Sequence, residues 1–580
     1  MTSNMREQAD VVVIGGGPAG SALSILLTKA GRSVIQLERE TFPREHIGEG
    51  LIPSAIPVLE RLGIKKELDK RGYNRKRGTT FVWGDNAEPW TVYFVEGNPS
   101  AGYSYQLYRP EFDDLLLNLS AENGARVYRE HEALEPIMDG DRIVGVNVRC
   151  RKTGNTFEAH GRFVIDASGQ WRVLGEKFGG REWDPQIRNM AVYGYFENAG
   201  RLPGIDSSNT LVEGFEDGWF WAIPLHVGLL SVGAVLDLDE YKRLKDGDWT
   251  EALMAKIEKT HKVKELVEGA TMTRGPYTLR DWSYKSEHFW GPGFALLGDA
   301  ACFIDPLFST GVFLGMQHAE ILNACINSVF RGDCTEEEAF DLYESEYRAE
   351  YEDLRQICMA MYSGASAPRN SIFWNARRIQ KLPDRVSARS AFARLISGRE
   401  RRGFEVNPLT RLDLPDQMSE DLKDFEKSLR ARIAVIDDHE LQGAASRILK
   451  ESNVIDERHA FLDAVLVMGP DVTSEERLLV KGDFLRRGFV MNTRLNPRGV
   501  SSSSAVVEKI VPLVDGVRTV REIADQAVEN DPQIERNFVI RELANLYWYA
   551  GCELVNDVNE DDMIHKLRGD DVSIVVPQTA

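Results

Sequence analysis

The chain has 580 residues, of which 43% are hydrophobic, so it is long enough for about two to four domains. Its net charge of −20 disfavours nucleic acid, whose phosphates are also negative. The six cysteines are scattered and the histidines are not clustered, so neither a disulfide framework nor a metal site is predicted. No apolar run is long enough to cross a membrane and the first residues do not resemble a secretory leader, so we expect a cytoplasmic protein without a membrane partner.

The first predicted elements are a strand, a glycine-rich turn, a helix and a second strand, in "ADVVVIGGGPAGSALSILLTKAGRSVIQLERE" (residues 9–40). Three glycines form the pattern G-x-G-x-x-G: Gly15, Gly17 and Gly20. Such glycines allow a tight turn, close approach of a pyrophosphate and packing of the helix on the strand. The helix start at Pro18 and Ala19 offers free N–H groups to phosphate, and Glu38 can bind a ribose hydroxyl at the end of the second strand. We therefore predict a dinucleotide site, in preference to a purely structural glycine turn.

Three later segments favour FAD as the dinucleotide. Arg109 heads an amphipathic helix in "YRPEFDDLL", and residues 163–170 ("FVIDASGQ") read as a strand that ends in a turn of small residues. Residues 294–319 read as a strand, a loop and a helix, with Asp299 placed at the strand end to bind a ribityl hydroxyl. A second G-x-G-x-x-G for NAD(P)H does not stand out, so the chain is not expected to reduce its own flavin.

Seven segments of the chain occur in the order found in the flavin-dependent halogenases: "GGGPAGSALS", "LERETFPREHIGEGLIP", "YRPEFDDLLL", "FVIDASG", "GWFWAIPL", "DWSY" and "GDAACFIDPLFSTGV". Over roughly its first two-thirds, a domain-sized unit, the chain resembles this family. Within it, the chain is most similar to the subgroup of the chloramphenicol-pathway halogenase and the halogenases of phenolic polyketides.

The resemblance implies an α/β fold of the flavoprotein monooxygenase type, with an FAD-binding Rossmann-type part and a mixed-sheet substrate region. It also implies a two-component enzyme of secondary metabolism, such as antibiotic biosynthesis. A separate flavin reductase would supply FADH2, and O2 with chloride or bromide would give hypohalous acid. That acid would halogenate an electron-rich carbon of a phenol, a pyrrole or an enolisable acyl group, free or tethered to a carrier protein.

Two tryptophans belong to the motif W-x-W-x-I-P of the family, at Trp219 and Trp221. In the family these aromatics lie between flavin and substrate and separate the two. Residues i and i+2 of a strand also share one face, so an alternative is that both indoles fill the core. With Ile-Pro following at the family spacing, we favour the separating role.

The segment "RGYNRKRGTTFVWG" places Lys76 at the active-site lysine of the family. An ammonium or amine at this point can hydrogen-bond hypohalous acid or carry the halogen as a haloamine. Arg75 and Arg77 would lower the pKa of a partly buried lysine between them. The alternative is a solvated basic turn, which is the common fate of an isolated lysine.

The segment "PLFSTG" matches the halide-binding position of the family, at Ser309, Thr310 and Gly311. Serine and threonine also open helices, and the two roles are compatible. Members that halogenate tryptophan carry glutamate directly before Ser-Thr-Gly, whereas this chain has Phe308. The resemblance therefore argues against free tryptophan as substrate, with Phe308 and Tyr362 as candidate substrate-lining residues.

The resemblance assigns FAD contacts to a further set of positions. These are Gly15, Gly17, Pro18, Ala19, Gly20, Glu38, Arg39, Arg44, Ile47, Glu49, Arg109, Asp281, Asp299, Pro306, Gly311 and Val312. Among them, Asp281 is the hypothetical site of a covalent ester to the flavin, which the mass of denatured enzyme would reveal.

Three parts of the chain are predicted: residues 1–375 as the halogenase domain, 376–405 as a basic segment, and 406–580 as a mainly helical module with a winged-helix-like stretch at 503–557. The basic segment is either a solvated linker or a docking surface for an acidic carrier protein. Two rival functions stay open: an FAD monooxygenase or prenyl-type reductase on the same fold, and a binding protein whose C-terminal module is the functional part.

Overall fold

The computed structural model describes residues 5–83, 89–94, 102–237, 239–240, 247–280, 283–364, 462–468, 473–492, 500–502, 509–536, 539–540, 542–543 and 552–554. The helices are α1 (Pro18–Lys29), α2 (Ala55–Leu62), α3 (Lys65–Arg71), α4 (Arg109–Glu122), α5 (Trp249–Ile257), α6 (Lys262–Val267), α7 (Gly311–Arg331), α8 (Glu336–Gly364) and α9 (Val520–Asn530). In this described part of the chain, no helix is both long and apolar enough to cross a membrane.

The strands before residue 200 are β1 (Met5–Gln8), β2 (Val11–Ile14), β3 (Val34–Glu38), β4 (Arg75–Lys76), β5 (Gly78–Val82), β6 (Trp90–Tyr93), β7 (Ser104–Tyr105), β8 (Arg126–Arg129), β9 (His131–Asp139), β10 (Arg142–Cys150), β11 (Thr156–His160), β12 (Phe163–Asp166), β13 (Glu182–Trp183) and β14 (Asn189–Glu197). The later strands are β15 (Thr210–Phe215), β16 (Gly218–Pro224), β17 (Leu230–Asp237), β18 (Thr271–Arg280), β19 (Tyr284–Lys285), β20 (Trp290–Gly291), β21 (Phe294–Leu296), β22 (Cys302–Phe303), β23 (Val465–Met468), β24 (Thr473–Lys481), β25 (Phe484–Asn492), β26 (Val500–Ser502), β27 (Asp515–Thr519) and β28 (Cys552–Leu554).

A six-stranded sheet in the order β20-β21-β12-β2-β3-β8 carries the glycine turn. All its neighbouring pairs are parallel except the edge pair β20–β21. Every residue of β2 and β3 is buried, as a parallel sheet covered on both faces requires. Since the carboxyl ends of parallel strands meet at one edge, Ile14, Glu38 and Asp166 end side by side and form the floor of a ligand site. The predicted Rossmann-type α/β part is confirmed.

A seven-stranded sheet in the order β18-β14-β17-β16-β15-β5-β6 forms the second large layer. Its pairs are antiparallel except β15–β5, so it is the predicted mixed sheet. All seven residues of β16 are buried between β15 and β17. Trp221 lies opposite Gly233, where a Cβ atom would stand only 2.1 Å from the indole ring. Glycine at position 233 thus leaves the space that the ring occupies.

The C-terminal part contains strands that the prediction of a mainly helical module did not name, but most of residues 406–580 lie outside the described residues, so the helical content of the module stays a prediction. The described residues beyond 406 contain six strands and α9, which begins with a capping box between Thr519 and Glu522, and residues 509–510, 539–540 and 542–543 are also helical. β24 and β25 form a hairpin whose tip packs on α7, where Asp483 accepts hydrogen bonds from Arg61 and Asn323. Residues 376–405 lie outside the described residues, so the domain limits and the docking surface stay predictions. The sequence analysis assigned no element of its own to "SEERLLVKGDFLRRGFV" (residues 474–490), in which charged and apolar residues alternate irregularly.

Candidate active site

A cavity of about 770 Å³ lies between the two large sheets and α7. Its walls are the turn after β2, the end of β3, residues 44–50 (the cofactor loop), the tryptophans of β16, and residues 306–311 (the Ser-Thr-Gly loop). The cavity thus joins the dinucleotide signature to the two family motifs that lie far away in the sequence. The predicted FAD positions that line it are Gly15, Gly17, Pro18, Ala19, Glu38, Arg39, Arg44, Ile47, Glu49, Arg109, Asp299, Pro306, Gly311 and Val312.

The glycine turn has the shape that a pyrophosphate needs. Gly15 has φ +115, and a Cβ atom there would lie 2.2 Å from the carbonyl oxygen of Ala167. A Cβ atom at Gly20 would lie 2.3 Å from the carbonyl oxygen of Gly15, so α1 packs directly on the turn. Gly17 faces open space with only the Arg44 guanidinium at 3.5 Å, and α1 starts there without a side-chain cap. The free N–H groups and the nearby cation therefore fit the phosphates of FAD.

Two buried side chains fix the walls around that turn. Glu38 accepts hydrogen bonds from the N–H groups of Gly16 and Glu40, both at 2.7 Å, which holds its carboxylate at the end of β3. Arg109 pairs with Asp113 through two hydrogen bonds, of 2.7 and 2.9 Å. Burial alone would raise the pKa of Asp113, but the guanidinium holds that pKa below its usual value.

Arg109 also holds the cofactor loop. Its Nη1 donates to the carbonyl oxygen of Ile47 at 2.5 Å and to that of Gly48 at 3.3 Å. Arg109, at the start of α4, thus ties this helix to the cofactor loop. These two hydrogen bonds are called the loop bracket below.

Glu49 points into this cavity with only 1% of its surface exposed, and neither carboxylate oxygen has a hydrogen-bond partner among the described residues. Burial raises its pKa to about 8, against a smaller opposite effect of the nearby Ser231 and Tyr195 hydroxyls. Glu49 is therefore a neutral acid near pH 7, with an O–H available to a bound ligand.

Replacing Glu49 by glutamine should flatten the pH dependence of stability. The unfolded chain releases this proton near 4.5 and the folded chain near 8, so the free energy of unfolding falls as pH rises through that window. Glutamine removes this titration, and we expect a gain on the order of 1–3 kcal/mol at pH 8. Urea unfolding of the cofactor-free protein from pH 5 to 8 measures the slope. The exposed Glu122→Gln variant should keep the wild-type slope; an unchanged slope in Glu49→Gln would contradict the assignment.

Trp171 is a residue of the site that the sequence analysis missed. It lies at the cavity mouth with 57% of its surface exposed, and the Arg39 guanidinium stacks 4.2 Å from its ring. A 3-10 turn, Gly169–Trp171, projects it outward, and the following residue Arg172 is fully buried and anchored by Ala300 and Ser286. A large exposed indole on a rigid turn is typical of a ligand-contacting surface.

Replacing Trp171 by alanine should weaken FAD binding. An aromatic ring stacked on a base contributes about 1–3 kcal/mol, so we expect the Kd for FAD to rise about tenfold. FMN has no adenosine, and its Kd should stay unchanged. Fluorescence titration of both flavins measures this. Trp183→Ala is the matched control, because Trp183 is also exposed but does not line the cavity. Equal weakening of FAD and FMN would contradict the contact.

Trp219 and Trp221 fill the core, as the alternative interpretation expected, and their role in separating flavin from substrate stays a prediction. Both are buried in the core, at 1% and 5% exposure, and both line the cavity. Their ring centroids are 6.2 Å apart. The Trp219 indole donates to the Tyr362 hydroxyl at 2.8 Å, and Trp221 donates to Ser231 at 3.3 Å. The two indoles therefore form a fixed wall.

Lys76 is buried, with 2% exposure, and donates to the Ser309 hydroxyl at 3.4 Å. It does not line the cavity itself but stands behind Ser309, which does. Burial lowers its pKa to about 7. The expected lowering is present, but its cause is desolvation and not the neighbouring arginines. Arg75 turns away to pair with Asp69 and to stack on Tyr103.

The Ser-Thr-Gly loop leads into α7 without a side chain that caps the first N–H groups of this helix. Ser309 has φ +58, and Thr310 takes the N-cap position of α7 without a side-chain capping hydrogen bond. The first N–H groups of α7 and both hydroxyls are thus available at the cavity wall, where Ser309, Thr310 and Gly311 all lie. Phe308 and Tyr362 are buried and do not line the cavity, and Tyr362 donates to Asp305 at 3.1 Å. Asp281 lies outside the described residues.

Other residues that were missed belong to the mixed sheet and the cofactor loop. Tyr193 and Glu45 line the cavity, and Tyr195 donates to Glu45 at 2.5 Å. The alternation in "MAVYGYF" does place Tyr193 and Tyr195 on one strand face, which was the available signal. No group of three or more His, Cys, Asp or Glu side chains in the described ranges could hold a metal ion.

The Rossmann-type sheet, its glycine turn and the uncapped start of α1 beside Arg44 fit a flavin-dependent oxidoreductase. The chain belongs to the tryptophan halogenase family, whose model matches residues 10–101 and 95–406. It is 30% identical to a tryptophan 2-halogenase of Chondromyces crocatus, over 67% of this chain and 75% of that protein. It is thus a flavin-dependent halogenase of secondary metabolism that uses FAD, halide and O2.

Two solved structures support the same assignment. The myxobacterial chondrochloren halogenase CndH is 41% identical, with a TM-score of 0.63 over 68% of this chain and 90% of that chain. The flavin-dependent halogenase CmlS is 27% identical, with a TM-score of 0.71 over 96% of this chain and 98% of that chain. CmlS is the chloramphenicol-pathway halogenase, so the predicted subgroup is confirmed.

Proposed function

We propose that this chain forms hypohalous acid in the FAD cavity and passes it along the tryptophan wall to Lys76, which transfers the halogen to an electron-rich carbon. The observation that carries the proposal is the position of Lys76. A buried amine touches the loop predicted to hold halide, at 3.4 Å from Ser309, yet stays outside the cofactor cavity. Such a lysine can meet a small oxidant that leaves the cavity without contacting the cofactor.

Each wall of the cavity has a role in this scheme. The glycine turn, Arg44, Glu38 and Asp299 would hold FAD, and the Ser-Thr-Gly loop would hold chloride or bromide through N–H and hydroxyl donors. Reduced FAD would supply the electrons by which O2 oxidises halide: FADH2, O2, X⁻ and H⁺ give FAD, HOX and H2O. The fixed indoles of Trp219 and Trp221 keep an organic substrate away from the cofactor while a small acid passes.

Lys76 is suited to accept the halogen because its lowered pKa leaves much of it as a neutral amine near pH 7. The amine attacks HOX at the halogen, forming an N–X bond and releasing water. The substrate carbon then takes the halogen as the N–X bond breaks, the carbon loses its proton, and the nitrogen takes up one proton, so that the amine is restored. A buried amine of this kind directs the halogen to one carbon, which free HOX does not.

We propose a phenol, a pyrrole or an enolisable acyl group as substrate, free or carrier-tethered. Phe308 supports this choice, because it puts a buried apolar ring where a tryptophan-specific site would need a carboxylate. A separate flavin reductase is proposed as the partner that supplies FADH2. The name of the Chondromyces relative does not settle the substrate, since its chain is only 30% identical.

Halide dependence of the product tests this function. The protein is loaded with chemically reduced FAD and mixed with oxygenated buffer, with or without bromide. The probes are a resorcinol, a pyrrole and a β-keto thioester, and the product is read by mass spectrometry. We expect a product with the bromine isotope pattern only when bromide is present. An oxygenated product that forms equally without halide would overturn the proposal in favour of a monooxygenase.

A further inference from the structure

The cofactor loop comes close to the Ser-Thr-Gly loop at Gly50. A Cβ atom built on Gly50 would lie 2.5 Å from the Ser309 hydroxyl oxygen and 2.9 Å from the Ser309 Cβ atom. It would also lie 3.3 Å from Lys76 Nζ. The space that alanine would need at position 50 is therefore the space in which Lys76 meets Ser309.

The backbone of Gly50 cannot easily move aside. It forms a bridge with Gln106, and its neighbours are tied on both sides. The N–H of Leu107 donates to the Glu49 carbonyl oxygen at 2.6 Å, and the N–H of Leu51 donates to the Tyr105 carbonyl oxygen at 3.0 Å. Gly50 is thus fixed to β7 and the residues that follow it.

Lys76 is fixed to the same strand from the other side. β4 pairs with β7, and Lys76 lies opposite Ser104 in that pair. Ser309 has little freedom either, because it ends a short 3-10 turn with φ +58, a conformation that only a few non-glycine residues adopt. A bulkier residue at position 50 must therefore displace the Ser309 side chain or the Lys76 ammonium.

We propose that Gly50 is a positioning residue that lets Ser309 bridge the cofactor loop to Lys76 and so sets the distance between the halide loop and the halogen-transferring amine. This inference rests on the proposed function of Lys76. It adds that one glycine of the cofactor loop controls the lysine. Alanine at this position should break the Lys76–Ser309 hydrogen bond while leaving the rest of the cavity intact.

A double-mutant cycle tests the proposal with four proteins: wild type, Gly50→Ala, Ser309→Gly and the double variant. Glycine at position 309 removes the Ser309 hydroxyl, which lies nearest to the new methyl group, leaves Lys76 Nζ at 3.3 Å as the tightest side-chain neighbour, and suits the positive φ. Gly102→Ala is the control for a general glycine effect, because a Cβ atom there meets nothing within 4 Å. The first readout is the pH midpoint of Lys76 carbamylation by cyanate in FAD-loaded protein, measured by peptide mass spectrometry. The second is the bromide KM for halogenation.

We expect Gly50→Ala to lower the Lys76 midpoint, because the ammonium loses its hydrogen-bond acceptor. We expect it to raise the bromide KM about tenfold, the effect of losing one hydrogen bond to a charged group. The Kd for FAD should change less than twofold. In the Ser309→Gly background, adding Gly50→Ala should change neither readout, whereas Gly102→Ala should behave as wild type.

Equal effects of Gly50→Ala in both backgrounds, or a parallel loss of FAD affinity, would overturn the inference and show a general distortion of the loop. The carbamylation readout does not need halogenation. If wild type forms no halogenated product but the cycle still shows the coupled shift of Lys76, the proposed function fails while the positioning role of Gly50 stands. If wild type halogenates and the cycle shows no coupling, only the positioning role fails.

Discussion

Replacing Lys76 by methionine is expected to lower the rate of substrate halogenation about 1,000-fold, which is the usual size of an effect from one acid–base or nucleophilic group. Methionine fills a similar volume in the buried position but cannot form an N–X bond. Formation of hypohalous acid should continue, because Lys76 does not line the FAD cavity. Halogenation of monochlorodimedone, a small enol trap, should therefore remain near the wild-type rate.

Two controls separate the chemistry of Lys76 from its packing. The exposed Lys70→Met variant should retain full activity. In wild type, substrate halogenation should rise as pH increases through about 7, where Lys76 loses its proton, and the trap reaction should not follow that profile. Loss of the trap reaction in Lys76→Met would contradict this account, since it would place the lysine in the formation of the oxidant.

The largest effect on stability is expected from Arg109→Met. Arg109 is 3% exposed and Asp113 is fully buried, so removing the guanidinium leaves the Asp113 carboxylate in the interior with only the longer ion pair to Arg44, at 3.4 Å. Breaking such a pair costs about 3–5 kcal/mol. The cofactor loop also loses its bracket at Ile47 and Gly48, so FAD binding should fall as well. Urea unfolding and flavin titration measure the two effects.

The double variant Arg109→Met with Asp113→Leu is the matched control. It removes both charges, so we expect most of the lost stability to return, whereas FAD binding should stay weak because the loop bracket is still missing. If the double variant regains FAD affinity together with stability, the bracket has no role of its own. If Arg109→Met is as stable as wild type, the buried pair is not important for the fold.

The sequence predicted those parts of the site that depend on local pattern. The turn is indicated by Gly15, Gly17 and Gly20, because its backbone shape excludes side chains. The apolar residues before them, 11–14, indicate a buried parallel strand. Trp219 and Trp221 could be placed on one strand face by their spacing. Their position at the wall of the cofactor cavity could be inferred only from the resemblance to the family.

Features that depend on long-range packing were not predictable in the same way. The pKa of Lys76 is set by burial behind Ser309, 233 positions later in the chain, and not by the adjacent arginines. The unpartnered carboxylate of Glu49 and the exposed ring of Trp171 become visible only when distant segments are brought together. The C-terminal hairpin was not predicted because its charged residues interrupt the two-residue period that is typical of a strand.

The most direct test of the central claim asks whether the oxidant travels inside the protein. Wild-type enzyme with reduced FAD, bromide and an accepted substrate is run in increasing concentrations of glutathione, a tripeptide that destroys free hypobromous acid in solution, whereas Lys76 is only 2% exposed. If the acid passes along the tryptophan wall to Lys76, the yield of brominated substrate should stay constant at a large excess of glutathione. A yield that falls in proportion to glutathione would show that the acid reacts in solution and would contradict the role of Lys76.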